Sequence, residues 1–234
     1  MEDPRLTKIC SAYDRRVDLA KRYNPLLPPN VQMNLERARI QATLIRQWLC
    51  GRSLAHVDIL EIGCGTGDNI LNLIGLGASP DHIVGNELIE SHMKLAKFRL
   101  PSAVRFHLGD ASRLPKSYGP FDLVMQFLVF SSILDDSLLE SLASRVWSIL
   151  RPGGMVLSYD FVVNNPSNPD VRGIPLRKLK TLFPEGQFTA KALTVAPPVA
   201  RALTHKLYPV LAILPFLKTH RLCAIRKAEI TVCA

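Results

Sequence analysis

The stretch Ile59-Leu-Glu-Ile-Gly-Cys-Gly-Thr-Gly-Asp-Asn-Ile70 constrains this chain more than any other. Its apolar start reads as a short buried strand, and glycines at 63, 65 and 67 turn the backbone sharply off the strand end. Without a Cβ, the main chain can approach a ligand that a side chain would hold away. Gly-rich turns also serve dinucleotide enzymes, whose usual spacing is GxGxxG. Here the spacing is GxGxG. Glu61 stands two places before the first glycine, and a carboxylate there discourages a pyrophosphate while suiting a ligand that bears an ammonium and a sulfonium.

Around this stretch the chain alternates between two periodicities. Strands are expected at 56–62, 82–88, 104–108, 121–130 and 154–163, with helices running to 76 and over 91–100 and 136–150. The 121–130 run is nearly all apolar, as in a strand buried on both faces. Residues 1–30 read as polar and irregular, and the prolines of 24–30 break any helix there. A helix is expected over 31–50, with Leu35, Ile40, Leu44, Ile45, Trp48 and Leu49 on its apolar face. A Pro/Asn loop over 164–175 precedes a short helix, a strand at 187–195, an apolar stretch at 199–217 and a closing strand at 221–225. Alternating strands and helices imply a parallel sheet wound on both faces, with the ligand crevice at the carboxyl ends of the strands. No repeat or linker divides the chain. The expected organisation is one domain, with a lid and helix in 1–50 and a main body in 51–234 whose substrate-side elements lie in 164–220.

Further segments continue the first motif in order: Ile83-Val-Gly-Asn-Glu-Leu88, Phe106-His-Leu-Gly-Asp-Ala-Ser-Arg-Leu-Pro115, Phe121-Asp-Leu-Val124 and Leu150-Arg-Pro-Gly-Gly154. Over residues 57–163 the chain resembles the class I S-adenosylmethionine-dependent methyltransferases, whose first motif is a hydrophobic strand with an acid before GxGxG. The resemblance implies an α/β fold with a Rossmann-like, seven-stranded, doubly wound sheet. That sheet would be mostly parallel with an antiparallel last strand and carry helices on both faces. It also implies S-adenosyl-L-methionine as cofactor. Glu61, Gly63, Cys64, Gly65, Thr66, Gly67 and Asn69 would surround it in the first loop. Glu87, with Leu88, would meet the ribose hydroxyls, and Asp110, with Ala111, the adenine amino group. Gln126 is the candidate on the fourth strand. Plainer readings stand beside these: Glu61 as a surface acid, Glu87 as a helix cap, Asp110 as a turn residue. Asp122 reads as structural, pinning a neighbouring loop.

Composition narrows the class without choosing a substrate. Hydrophobic residues at 47% and charged residues at 21% exclude a disordered or collagenous chain. The most apolar segment, 207–217, is about half the ~20 residues of a spanning helix and contains Pro209 and Pro215. The start, Met-Glu-Asp-Pro-Arg, lacks the apolar stretch of a secretory signal, so a soluble cytoplasmic protein is expected. Cys10, Cys50, Cys64, Cys223 and Cys233 form no CxxC pair and leave one over, which favours free thiols. The histidines show no ligand spacing, and no metal is expected. Charge is uneven: residues 1–150 hold 17 Lys and Arg against 16 Asp and Glu, whereas 151–234 hold 12 against 4. That excess suits an anionic partner (phosphate, nucleic acid or membrane surface) or is simply a solvated basic face.

Methyl transfer from a sulfonium is an in-line displacement from which sulfur leaves neutral, so alignment and exclusion of water do most of the work. An oxygen or nitrogen acceptor can still require a base. Ser131 and Ser132 stand after strand four where many small-molecule relatives carry histidine, and Asp160 at the end of strand five becomes the catalytic candidate. Arg172 reads as an anion clamp or a partner of Asp170. His220 is the other base to test, against a structural role. The (Asn/Asp)-Pro-Pro-(Tyr/Phe) clamp of amine methylases is replaced by Gln126-Phe-Leu-Val-Phe130. The N-terminal segment, with Tyr13 and Tyr23, resembles the lids of small-molecule methyltransferases. The pattern after strand five resembles bacterial enzymes of polysaccharide and glycolipid assembly. The expected reaction is O-methylation of a small molecule or glycan, anionic or lipid-linked, with peripheral membrane contact through 199–217 as an option and no DNA partner. An RNA methyltransferase, a non-catalytic cofactor-binding protein and, last, a nicotinamide dehydrogenase are the alternatives.

Overall fold

The computed structural model describes residues 3–14, 24–164, 168–202 and 208–229. Its seven strands are β1 (Ile59–Ile62), β2 (Ile83–Glu87), β3 (Arg105–Leu108), β4 (Phe121–Phe127), β5 (Leu150–Phe161), β6 (Gln187–Val195) and β7 (Lys218–Arg226). They form one sheet in the order β3-β2-β1-β4-β5-β7-β6. β1 to β5 run parallel, and β7 inserts antiparallel to both β5 and β6. The chain leaves β1 toward β2 on one side and returns to β4 on the other. A crevice opens where strand order reverses in this way.

Among the described residues eight helices surround the sheet: α1 (Pro4–Asp14), α2 (Pro28–Leu49), α3 (Asp68–Gly75), α4 (Glu90–Arg99), α5 (Asp136–Ile149), α6 (Leu176–Leu182), α7 (Pro197–Ala202) and α8 (Tyr208–Leu211). Every residue of β1 and β2 is buried, because apolar layers cover both faces. On one face Leu44, Ile45 and Trp48 of α2 meet Ile59, Met125, Leu157 and Leu222. On the other, Leu139, Leu142 and Val146 of α5 and Leu179 of α6 meet Leu60, Val124 and Val156. At the end away from the crevice, Arg151 bridges Asp58 at 2.8 Å and Asp122 at 2.7 Å, and His82 meets Asp58 at 2.7 Å. Burial opposes ionisation of Asp58, but the His82 and Arg151 hydrogen bonds outweigh it and hold the carboxyl below its usual range. The same bond raises the His82 imidazole.

Several expectations need correction. Residues 4–14 form a helix, not an irregular segment, with Leu6 and Ile9 packed on the α5 core. The prolines near 28 start α2 instead of breaking it, since a missing N–H costs nothing in the first turn. Leu35 points to solvent at 60% exposure, and the buried stripe of α2 runs through Gln41 instead. β4 ends at Phe127, three residues early, because Leu128 takes φ +63° and the Gln126 carbonyl captures the Val129 and Phe130 N–H groups. In the apolar stretch, α7, α8 and a 3-10 turn (Pro215–Leu217) are short pieces, and 203–207 lie outside the described residues. Among the described residues no helix is long and apolar enough to cross a membrane. Cys50, Cys64 and Cys223 are free thiols; Cys233 lies outside the described residues.

Candidate active site

A cleft of about 540 Å³ opens at the carboxyl ends of the strands and has two halves. The first is built on the backbone that leaves β1. Gly63 has φ +64°, and a Cβ there would come within 2.5 Å of Val129 Cγ2. The turn therefore has no room for a side chain, and its conformation favours glycine. Gly65 donates its N–H to Glu87 Oε2 at 2.7 Å, while Glu87 Oε1 accepts from the N–H groups of Leu88 and Ile89 at 2.8 Å each. A carboxylate offers about four acceptor sites. Glu87 thus fixes the loop and the start of α4 and retains capacity for a ligand hydroxyl at the cleft surface. Leu88, Ala111 and Asp110 also line this half. Asp110 accepts from the N–H and hydroxyl of Ser112 at 2.8 and 2.7 Å, so it is a turn residue and a cleft residue at once.

The remaining first-loop candidates hold the loop from behind. Cys64 is buried against Gly85, and burial pushes its thiol far up. The Thr66 hydroxyl lies between Asp68 at 3.1 Å and Arg99 at 2.9 Å. Gly67 closes the turn onto the Cys64 carbonyl and precedes α3. Gln126 donates to Ser158 at 2.6 Å and to Asp160, and its carbonyl accepts from Val129 and Phe130. Both amide hydrogens and the carbonyl are engaged inside the protein.

Glu61 is not a surface acid. It is fully buried; Asn69 donates to Oε1 at 2.6 Å, and Oε2 is sealed without a donor. Burial pushes its carboxyl up to about 8, against the Asn69 bond and the Arg37 charge. Arg37, from α2, lines the cleft with its guanidinium 5.6 Å from the Phe127 ring centroid and 5.4 Å from that of Tyr159. Among the described residues it has no ion-paired carboxylate. One buried acid with an oxygen lacking a donor and one cation lacking an anion suit a zwitterion. The amino-acid end of S-adenosylmethionine is such a group, and the residues fit it. Sequence reasoning missed Arg37. The signal was its spacing on α2, four and seven residues before Gln41 and Leu44 on the buried stripe.

The second half is aromatic. Phe127, Tyr159, Phe161 and His220 share one sheet face, with Thr194 and Met33 beside them. The His220 ring stacks on Tyr159 at 5.1 Å and 13° and meets Phe161 at 4.3 Å. Burial pushes its imidazole down to about 4, with the Arg37 charge acting the same way. Tyr159 meets the Thr194 hydroxyl at 2.9 Å, and Thr194 holds the unusual φ +63°. Behind them Glu36 ties several elements together. Its Oε2 accepts from Thr194 N at 2.9 Å and Tyr208 OH at 2.8 Å, and its Oε1 lies 3.2 Å from Lys218 Nζ. From α1, Leu6, Ile9 and Tyr13 form the facing wall. Tyr23 lies outside the described residues.

Asp160, the expected base, does not line the cleft. Side chains alternate along β5, so Tyr159 and Phe161 face the aromatic half while Asp160 faces the other side of the sheet. It is 2% exposed, accepting from Ser131 N at 3.0 Å, Ser158 Oγ at 3.2 Å and Gln126. Burial pushes it up to about 6 against those bonds. It is an anchor for the loop after β4. Arg172 pairs with Asp136 at 2.9 Å at the start of α5. Asn164 accepts from Gly173 N, and Asn165 lies outside the described residues. Asp122 pins Arg151 and the Asp58 N–H at the opposite end, as its structural reading has it.

Residues 59–154 match a family model described as a methyltransferase domain. That segment of the chain thus carries a methyltransferase domain, set in a Rossmann-like fold. It is 32% identical over 125 residues to a demethylmenaquinone methyltransferase of Leptospira interrogans, spanning 51% of this chain and 48% of that one. It is 26% identical over 117 residues to the tRNA N(3)-cytidine methyltransferase METTL2 of Gallus gallus, spanning 47% and 31%. The matches thus span half or less of those curated relatives. Magnesium protoporphyrin IX methyltransferase from Synechocystis PCC 6803 superposes with TM-score 0.64 at 10% identity, over 93% of this chain and 94% of that one. At that identity the likeness is one of fold.

Proposed function

We propose that this methyltransferase-family chain transfers a methyl group from S-adenosylmethionine to an oxygen of a small acceptor enclosed in the aromatic half of the cleft. The observation that carries the reading is a single cleft in which Arg37, with no ion-paired carboxylate among the described residues, stands between the glycine turn and an aromatic chamber, while the Glu61 carboxyl lies buried on the strand that leads into that turn. When bound, the cofactor supplies an electrophilic methyl group on sulfur, which leaves neutral and needs no acid. Glu61 and Arg37 hold its charged end, Glu87 and Asp110 its nucleoside, and Gly63 and Gly65 let the main chain close on it. The aromatic walls orient the acceptor, and α1 excludes water.

An anionic or lipid-linked acceptor, glycan or otherwise, draws support from the excess of cations in 151–234 and from Ile213 and Phe216, 75% and 79% exposed. The tRNA-modifying relative and the same cations favour RNA as a second reading, which requires binding that weakens steeply with salt. Calorimetry with S-adenosylhomocysteine and NAD, then methyl-label transfer into lipid, glycan, RNA and protein fractions, tests the proposal. Heat with the first ligand and label in a small molecule or lipid is expected. Heat with NAD alone would overturn the cofactor, and label in RNA the acceptor.

A further inference from the structure

Resting on the methyl-transfer reading above, we propose that His220 is the proton acceptor for an aromatic hydroxyl, a phenol or quinol oxygen, seated against Tyr159 and Phe161. An imidazole thereby enters the site from β7, not from the turn after β4 that holds Ser131 and Ser132. His220 lines the cleft with one ring nitrogen held from behind: Nδ1 lies 3.0 Å from Thr219 Oγ1. That hydroxyl also lies 3.5 Å from the Thr194 carbonyl, which can only accept. We assign the Thr219 hydrogen to that carbonyl, so that its lone pair takes Nδ1–H and Nε2 keeps a free lone pair. Thr219 is a positioning residue: it sets the tautomer.

The chemistry of the acceptor follows from what this group can do. A carboxylate acceptor is already ionised and an amine attacks through its own lone pair, so a base is most useful to a hydroxyl. Among the described residues no carboxylate hydrogen-bonds the ring. The charged and titratable groups facing it are Arg37 from α2 and Tyr159 from β5. Burial and Arg37 leave the ring neutral at neutral pH, ready to accept, but weakly basic. A weak base can serve only a hydroxyl that gives up its proton readily, and phenols and quinols do so far more readily than sugars. The flat walls of Tyr159, Phe161 and Phe127 also favour a ring. In the step, the oxygen forms its bond to the methyl carbon as the carbon–sulfur bond breaks. The hydroxyl proton passes to Nε2 and then to solvent, and sulfur departs as a neutral thioether.

The test uses the full chain, methyl-labelled cofactor, and three acceptor sources: catechol, a naphthohydroquinone kept reduced, and a fractionated extract. Label should appear as an alkali-stable aromatic ether in at least one source. His220→Gln and His220→Phe, the second keeping a flat ring in the stack, should lower that transfer about 100-fold or more at unchanged heat of S-adenosylhomocysteine binding. Thr219→Val should lower it less, with altered imidazole nitrogen shifts in the NMR spectrum. Label in an ester, an amine or a ring carbon would overturn the proposal. So would a His220→Gln rate within about threefold of the parent, or no labelled product from a chain that binds the homocysteine. Failure to bind the homocysteine at all would instead sink the underlying methyl-transfer reading.

Discussion

The two halves of the cleft are made differently. The cofactor half comes from main chain: a glycine turn, three N–H groups on Glu87, and carboxylates at the ends of adjacent strands. The acceptor half is made of side chains delivered by α1, α2, β4, β5, β6 and β7, which meet only after the sheet has closed. A backbone site is written in consecutive residues and tolerates little change. A side-chain chamber is spread along the chain and can be altered one wall at a time.

That contrast breaks in definite ways. The largest effect is expected from Gly63→Val, which places a branched side chain where Val129 already sits and where φ is positive. Affinity for S-adenosylhomocysteine should fall at least about 100-fold by calorimetry. Next, Asp160→Asn sets an amide hydrogen against the Gln126 amide and loosens the loop after β4. It should cost about 1–3 kcal/mol of stability in a denaturant titration. If it instead removed methyl transfer at unchanged stability, Asp160 would be the base and the assignment of His220 wrong. Arg37→Met should weaken homocysteine binding about tenfold while leaving the fold intact, as expected for one charge-assisted contact. A change confined to acceptor turnover would move Arg37 to the other half.

Acidity sharpens the comparison further. Glu61 is protonated below about 8, and an ammonium prefers its ionised form. Homocysteine binding should therefore release a proton and strengthen as pH rises toward 8, by up to about tenfold per pH unit; Glu61→Gln should flatten that slope. The smallest effect belongs to the far end of the sheet. His82 is raised by Asp58, so its contribution is full below the ordinary imidazole value and fades as pH climbs through the folded one. His82→Gln should lower the melting temperature slightly in acid, less at alkaline pH, and leave homocysteine affinity alone.

Much of the fold was legible because strand and helix periodicities alternate cleanly from Ile59 to Phe161. Legibility failed where local rules compete. Prolines that read as breakers at 28 and 29 turned out to open α2, and a polar start hid α1, whose apolar residues Leu6 and Ile9 are too few to show a stripe. In the site, Gly63, Gly65, Glu87 and Asp110 fall together at the cleft because each stands at or just past the carboxyl end of one of three adjacent strands. Asp160 was misread because a strand sends neighbours to opposite faces, and the sequence alone did not say which face held the cleft. Thr194 became visible only in three dimensions, since nothing near it in the chain names its partners, and the spacing that marks Arg37 is meaningful only once the buried stripe of α2 is known.

Glu36 gives this design a practical handle. One carboxylate clasps the helix roof, the edge strand and the tyrosine of α8 behind the chamber, and none of its partners supports the glycine turn. Shortening it by a methylene, as in Glu36→Asp, would draw three walls inward together. Such a change would reshape the aromatic half and leave the glycine turn as it is, while Arg37, next to Glu36 on α2, would move with the roof.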